Sequence, residues 1–152
     1  MPHLEWQTSD LAENHAGVQA WINKAELANV LPPILLDMQA PRWPTRQFDA
    51  VYTANTCHIM SWPQVENMFD GVGTLLMPDG VFCVYGPFNY HGAFTSVSNA
   101  QFDVSLRAQG MHRAIRNIEA LQELAEKNRL LLRADHAMPA NNRLLIFHRL
   151  GH

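Results

Sequence analysis

The spacing of apolar positions changes period several times along the chain, and each change predicts an element. Leu4 to Thr8 alternates apolar and polar residues and ends at Ser9-Asp10, which predicts a short strand with a carboxylate at its tip. Leu11, Val18, Trp21, Ile22, Ala25 and Leu27 then fall at mostly helical spacing, predicting a helix that stops before Pro32-Pro33. Ile34-Leu-Leu36 reads as a second short strand, again tipped by an acid, Asp37. Pro41-Arg-Trp-Pro44 forces a loop, because proline fixes φ and removes a donor. A strand at residues 48 to 54 runs into Asn55-Thr-Cys-His58, and Ser61-Trp-Pro-Gln64 reads as a capping box with proline in the first turn.

The next stretch carries the strongest pattern. Val65, Met68, Phe69, Val72, Leu75 and Leu76 form one continuous apolar stripe at i, i+3, i+4, i+7 spacing, which predicts a helix. Pro78-Asp-Gly80 turns it into a strand over Val81 to Tyr85, and strand-helix-strand order implies parallel pairing through a crossover. Gly86 to Val97 reads as a loop long enough to suggest function. Ser98-Asn-Ala-Gln101 offers a second capping box before Phe102 and Leu106, and Asn117 can cap a helix carrying Ile118, Leu121, Leu124 and Ala125. Leu130 to Ala137 and Arg143 to His148 read as strands joined by Pro139-Ala-Asn-Asn142, a connection short enough for an antiparallel hairpin. Strands and helices alternating in this way predict an α/β fold with a doubly wound, mostly parallel sheet and an antiparallel C-terminal edge. No internal repeat or second domain is visible, so the reading is one domain over residues 1–152.

Composition narrows the function classes. A hydrophobic fraction of 47% with 16% charged residues describes an ordinary globular protein and argues against disorder. The formal net charge is -3 and Lys and Arg are scattered, so no footprint for nucleic acid appears; a local basic patch near Arg107, Arg113 and Arg116 stays open. Cys57 and Cys83 lie in or just after apolar runs, which suits buried reduced thiols and a cytoplasmic protein better than a disulfide framework. The N-terminus lacks the basic and apolar regions of a signal peptide, and no segment approaches the roughly 20 apolar residues that span a bilayer. The eight histidines show no H-x-x-x-H spacing, so no metal site is expected.

Two segments carry the chemistry, Phe48-Asp-Ala-Val-Tyr-Thr-Ala-Asn-Thr-Cys-His-Ile-Met-Ser-Trp62 and Leu76-Met-Pro-Asp-Gly-Val-Phe-Cys-Val-Tyr-Gly-Pro-Phe-Asn-Tyr90. Each is an apolar run that breaks into polar residues at its C-terminal end, where open parallel sheets bind ligands. They resemble the fourth and fifth strands of Rossmann-like class I S-adenosylmethionine-dependent methyltransferases, with Met77-Pro-Asp-Gly80 standing where such enzymes usually have a Pro-Gly turn. Further motifs resemble one branch, the domain-of-unknown-function family 938 or methyltransferase-like 26. These are Trp6-Gln-Thr-Ser-Asp10, Ala54-Asn-Thr-Cys-His-Ile59, Tyr85-Gly-Pro-Phe88, the stretch from Thr95 to Arg107, and Met138-Pro-Ala-Asn-Asn142. Where relatives usually read Trp-Gly before Ile-Arg-Asp, this chain has Arg113-Ala-Ile-Arg-Asn117. The resemblance places a first strand and a Gly-rich loop ahead of Leu4, and no G-x-G-x-G pattern occurs in the sequence. The expectation is therefore a fold short of its first strand.

The resemblance implies S-adenosyl-L-methionine as cofactor and a small-molecule methyl acceptor as partner. It gives Asp10 the ribose hydroxyls, where the competing role is a helix N-cap. Asp37 would accept from the adenine amino group with Met38 covering the base, or would open an Asx-turn. Asn55 would orient the cofactor. His58 would take a proton from the acceptor, since imidazole titrates near neutrality, unless it is a hydrogen-bonded structural residue. Tyr85, Phe88, Asn89 and Tyr90 would form one lip of the acceptor pocket, opposite Asn99, Asp103 and Arg107, although Tyr85 and Phe88 could equally pack the sheet. The competing class is a non-catalytic remnant that serves as a binding protein. Loss of a central strand would then be met by direct pairing of its neighbours, by an upstream sequence, or by a strand from a second copy in a homodimer. A hydrolase or oxidoreductase is disfavoured, because neither a nucleophile elbow nor a dinucleotide fingerprint is present.

Overall fold

Two units make up residues 1–151, the part of the chain that the computed structural model describes: Met1–Trp43 and the remainder from Pro44. In the first unit, β1 (Trp6–Asp10) and β2 (Val30–Leu35) pair in parallel through a 3-10 turn at Ala12–Asn14 and helix α1 (His15–Ala25). β1 starts two residues later than the alternation predicts. The Trp6 N–H donates to Asn29 O at 2.8 Å, and the ladder then runs to Asp10 opposite Leu35, so Asp10 closes the strand. α1 stops at Ala25 because Glu26 takes a left-handed conformation, φ 49°, which the helical spacing did not foretell.

β2 corrects the expected boundary at the prolines. Gln7 opposes Leu31 and Ser9 opposes Ile34, so Thr8 faces both Pro32 and Pro33 in a bulge. Prolines cannot donate to a ladder and are tolerated where an extra residue interrupts it. Side chains bridge the gap: Thr8 Oγ1 donates to Leu31 O at 2.9 Å and Gln7 Nε2 to Pro32 O at 2.8 Å. None of the residues of this unit is buried, and Trp21, Leu27 and Leu35 are all more than half exposed.

The second unit contains β3 (Phe48–Ala54), α2 (Trp62–Leu75), β4 (Leu76–Gly86), β5 (Phe88–Asn89), α3 (Val97–Gln109), β6 (Arg116–Asn117), α4 (Ile118–Lys127), β7 (Leu130–Met138) and β8 (Asn142–Arg149). Its main sheet has the order β3-β4-β8-β7, with β3 parallel to β4 and the last two strands antiparallel. β5 and β6 form a short parallel pair inside what the sequence presents as loops. The Pro78-Asp-Gly80 turn is present as a wide bulge, since Phe48 opposes Leu76 while Ala50 already opposes Val81. Gly80 is required there: a Cβ would lie 2.8 Å from Met77 O and 3.0 Å from Asp49 O. Leu76 therefore ends the apolar stripe as the first residue of a strand, where the spacing alone carries it into the helix.

Helix starts follow local hydrogen bonding. The α2 capping box is present, with Gln64 Oε1 accepting from the Ser61 N–H at 2.8 Å. The α3 cap lies two residues before the expected Ser98, because Ser96 Oγ accepts from the Asn99 N–H at 3.0 Å. Asn117 occupies the N-cap position of α4 without a side-chain bond to the helix, and its backbone pairs with Asn89 instead. The core is built on Phe69 of α2, Phe82 of β4 and Phe147 of β8. Phe69 meets the other two rings edge-on at 5.3 and 5.6 Å between centroids. All three are fully buried, each contributing about 1.5–3 kcal/mol by removal from water. Among the described residues no helix is long and apolar enough to cross a membrane.

Candidate functional site

At the C-terminal tip of the parallel β3–β4 pair the chain turns sharply. Asn55 leaves β3 in a left-handed conformation, φ 58°, which short polar side chains tolerate best, and its N–H donates to Tyr85 O at 2.8 Å. That bond fastens the end of β3 to β4. A Cβ on Gly86 would stand 3.7 Å from Asn55 Oδ1 and 3.8 Å from His58 Nδ1, so both side chains converge on the bare backbone at the end of β4. Two of the residues singled out from sequence are thus brought to one point.

His58 is held on every side. Only 6% of it is exposed, its ring meets Phe102 of α3 edge-on at 5.3 Å, and its carbonyl accepts from the Ala114 N–H at 3.1 Å. Burial lowers its pKa below the usual imidazole range, and the Arg116 and Arg113 guanidinium charges push it lower still. The ring is therefore neutral at pH 7, with a nitrogen lone pair to offer. Cys57, one residue earlier, is buried and pushed up to about 12, and burial also raises Cys83; both remain unionised free thiols.

The remaining residues expected at an acceptor pocket separate into different roles. Phe88 is 1% exposed and belongs to the core, which corrects its expected place on a pocket lip in favour of packing. Asp103 uses both carboxylate oxygens internally: Oδ1 accepts from the Ile115 N–H at 2.7 Å and Oδ2 from Arg107 Nε at 2.8 Å. Arg107 is half exposed beyond that ion pair. Asn99 is buried, its Nδ2 donating to Thr95 Oγ1 at 3.0 Å and to Asn141 O at 3.2 Å, which ties α3 to the β7–β8 turn. Tyr85 is half-buried in β4 opposite Leu144. Asn89 is 7% exposed, and its Oδ1 is buried without a partner among the described residues.

Tyr90 belongs to a network that sequence reasoning missed. Its hydroxyl donates to Asp135 Oδ2 at 2.6 Å, Asp135 Oδ1 accepts from Arg143 Nε at 2.7 Å, and the Arg143 guanidinium lies 5.7 Å from the Tyr90 ring centre. Burial first, and then the Asp135 carboxylate, push the phenol up to about 12. The available signal was an acid and an arginine flanking the Pro139-Ala-Asn-Asn142 turn, which places them on neighbouring antiparallel strands.

In the first unit, Asp10 and Asp37 end adjacent parallel strands. Asp10 Oδ1 accepts from the Leu11 N–H at 2.7 Å and Asn14 Nδ2 at 2.8 Å, and its carbonyl accepts from the Leu36 N–H at 3.1 Å. Asp37 Oδ1 accepts from the Gln39 N–H at 2.8 Å, which is an Asx-turn. The Asx-turn anticipated for Asp37 is present, but Asp10 is not a helix N-cap: Leu11 holds that position before the 3-10 turn and Asn14 before α1, and Asp10 instead braces both residues through Oδ1. Met38 is half-buried beside Asp37.

Three solved structures share this architecture. An O-methyltransferase family protein from Burkholderia thailandensis superposes with a TM-score of 0.84 at 16% identity, over 99% of this chain and 45% of that one. The mitomycin 7-O-methyltransferase MmcR gives 0.84 at 16% identity over 98% and 43%, and the S-adenosylmethionine-dependent methyltransferase SibL gives 0.81 at 17% over 99% and 45%. The fold is therefore the Rossmann-like mixed α/β fold of methyltransferases, and this chain spans less than half the length of those proteins. The family model described as protein of unknown function (DUF938) matches residues 1–149, and the chain belongs to that family.

Proposed function

We propose that this chain is an S-adenosyl-L-methionine-dependent methyltransferase of the methyltransferase-like 26 branch, forming one domain and acting on a small-molecule acceptor. The observation that carries the proposal is the convergence of Asn55 and the neutral, buried His58 on Gly86 at the C-terminal end of a parallel strand pair, in a fold shared with methyltransferases. The residues present fit the cofactor's polar groups. Asp10 and Asp37 stand at adjacent strand tips with one carboxylate oxygen each outside their local turns, and a carboxylate accepts from ribose hydroxyls or an adenine amine. Met38 supplies an apolar neighbour for the base.

When bound, the cofactor supplies an electrophilic sulfonium methyl, given up by breaking the sulfonium C–S bond, and leaves as the thioether. The protein's part is to orient the acceptor, exclude water and remove one proton. His58 would take that proton from the acceptor O–H or N–H and pass it to solvent. Asn55 orients through its amide. Asn89 offers a buried carbonyl oxygen to a donor on the acceptor, while Tyr85 and Tyr90 bound the approach. Asn99, Asp103 and Arg107 act by holding α3 in place.

Calorimetric titration with S-adenosylhomocysteine tests the reading without knowledge of the acceptor. Saturable one-site binding that is lost in Asp10→Ala and Asp37→Ala supports it. A folded chain that shows no binding heat refutes it and favours a role as a binding protein.

A further inference from the structure

One half-buried cation next to His58 has no place in the chemistry above. Arg116 donates from Nε to Cys57 O at 3.2 Å, and from Nη2 to Met60 O at 2.7 Å and His112 O at 2.8 Å. Its guanidinium lies 5.8 Å from the Trp62 ring centre, at the first residue of α2. The Ala114 N–H adds a bond to the His58 carbonyl. The carbonyls of Cys57, His58 and Met60 are thus all taken by the segment from Ala114 to Arg116. The turn between Asn55 and Ser61 owes its shape to a strand that lies more than fifty residues further along the chain.

Arg116 is unusual in being half-buried while its recorded hydrogen bonds all go to carbonyl oxygens. Asp103 is the acid that acts on it electrostatically, but both oxygens of Asp103 are committed to Arg107 and the Ile115 N–H. Carbonyl dipoles solvate the guanidinium without cancelling its charge. A planar fork can meet several carbonyls together where a lysine ammonium meets them as a point charge.

We propose that Arg116 is a positioning residue, which clamps the Cys57–Met60 turn so that the His58 imidazole is held at the tip of β4. The proposal rests on the reading of His58 as the base. The charges that act on that ring are Arg116 and Arg113, the latter just before β6; Asp103 and Arg107 on α3 and the Cys57 thiol act in turn on Arg116, and β4 contributes the uncharged Gly86. Arg116 is the largest charge among them in its effect on His58.

The test is an NMR titration of the His58 ring, assigned by the signal that vanishes in His58→Gln, in the wild type, Arg116→Gln and Arg116→Lys. In Arg116→Gln the titration midpoint should rise and the ring resonance move toward that of a free imidazole. Arg116→Lys should keep a midpoint close to wild type, because the charge stays, yet still shift and broaden the resonance, because the fork is lost. With an acceptor in hand, kcat should fall about tenfold or more, as small misplacements of catalytic groups do. If Arg116→Gln does not fold, Arg116→Lys decides alone. Unchanged His58 resonances in a cooperatively folding variant overturn the proposal. Methyl transfer that survives in His58→Gln removes the base reading while leaving the Arg116 result standing.

Discussion

A buried neutral histidine makes stability depend on pH in a definite direction. The folded pKa of His58 lies below the ordinary 6.5, so the unfolded chain binds the proton more readily. Its influence on stability is constant above pH 6.5, and stability falls as pH drops from there toward the lowered folded value. Urea unfolding at pH 7.5 and pH 5 should show a larger loss in the wild type than in His58→Gln, and parallel losses would argue against a desolvated imidazole. A second residue-scale effect concerns the loop after β5. Tyr90→Phe removes the bond to a charged Asp135, which solvent access at the site reduces to about 1 kcal/mol. The Asp135–Arg143 ion pair survives that change, so Asp135→Ala should cost more by the same unfolding assay.

At the scale of elements, the pairing of α2 with the end of α4 decides what one glycine can become. Replacing a mid-helix glycine by alanine ordinarily stabilises by about 0.5–1 kcal/mol. Gly73 is different, because a Cβ there would lie 2.6 Å from the Asn128 carbonyl oxygen at the C-terminal cap of α4. Gly73→Ala should therefore lower stability by about 1–3 kcal/mol, the usual range for overpacking, and a gain in the melting midpoint would contradict the close approach. The capping box acts on the same helix. Ser61→Ala should cost about 1 kcal/mol without altering the fold, as read by unchanged aromatic circular dichroism.

The whole molecule divides energetically as well as structurally. Met1–Trp43 contains no buried residue, whereas the unit from Pro44 encloses the Phe69–Phe82–Phe147 core and every fully buried leucine and valine among the described residues. Little apolar surface is removed from water in the first unit, so its openings should be cheap. Hydrogen exchange should show amides of β1 and β2 exchanging well before those of β4 and β8. Equal protection in both units would mean that they unfold as one. The family match, over residues 1–149, spans both units.

What the sequence by itself determined was local. The α2 stripe, the Ser61 capping box, the β3 boundaries and the β7–β8 hairpin all depend on residues within a few positions of one another, where periodicity and turn chemistry act directly. The strand-tip polar residues Asp10, Asp37, Asn55 and His58 were legible for the same reason, since each follows an apolar run. Tertiary structure decided the rest. The prolines entered β2 because Thr8 on another strand accommodates a bulge, and α3 is capped by Ser96 because that hydroxyl accepts from the Asn99 N–H. Phe88 became core, and Asp103 became a brace for Ile115. Arg116 came to the His58 turn from a segment that no local pattern connects to it. Hydrogen bonds between residues 45 and 59 positions apart, such as Tyr90–Asp135 and Arg116–Cys57, leave no period in a sequence, and only the folded chain brings their partners together.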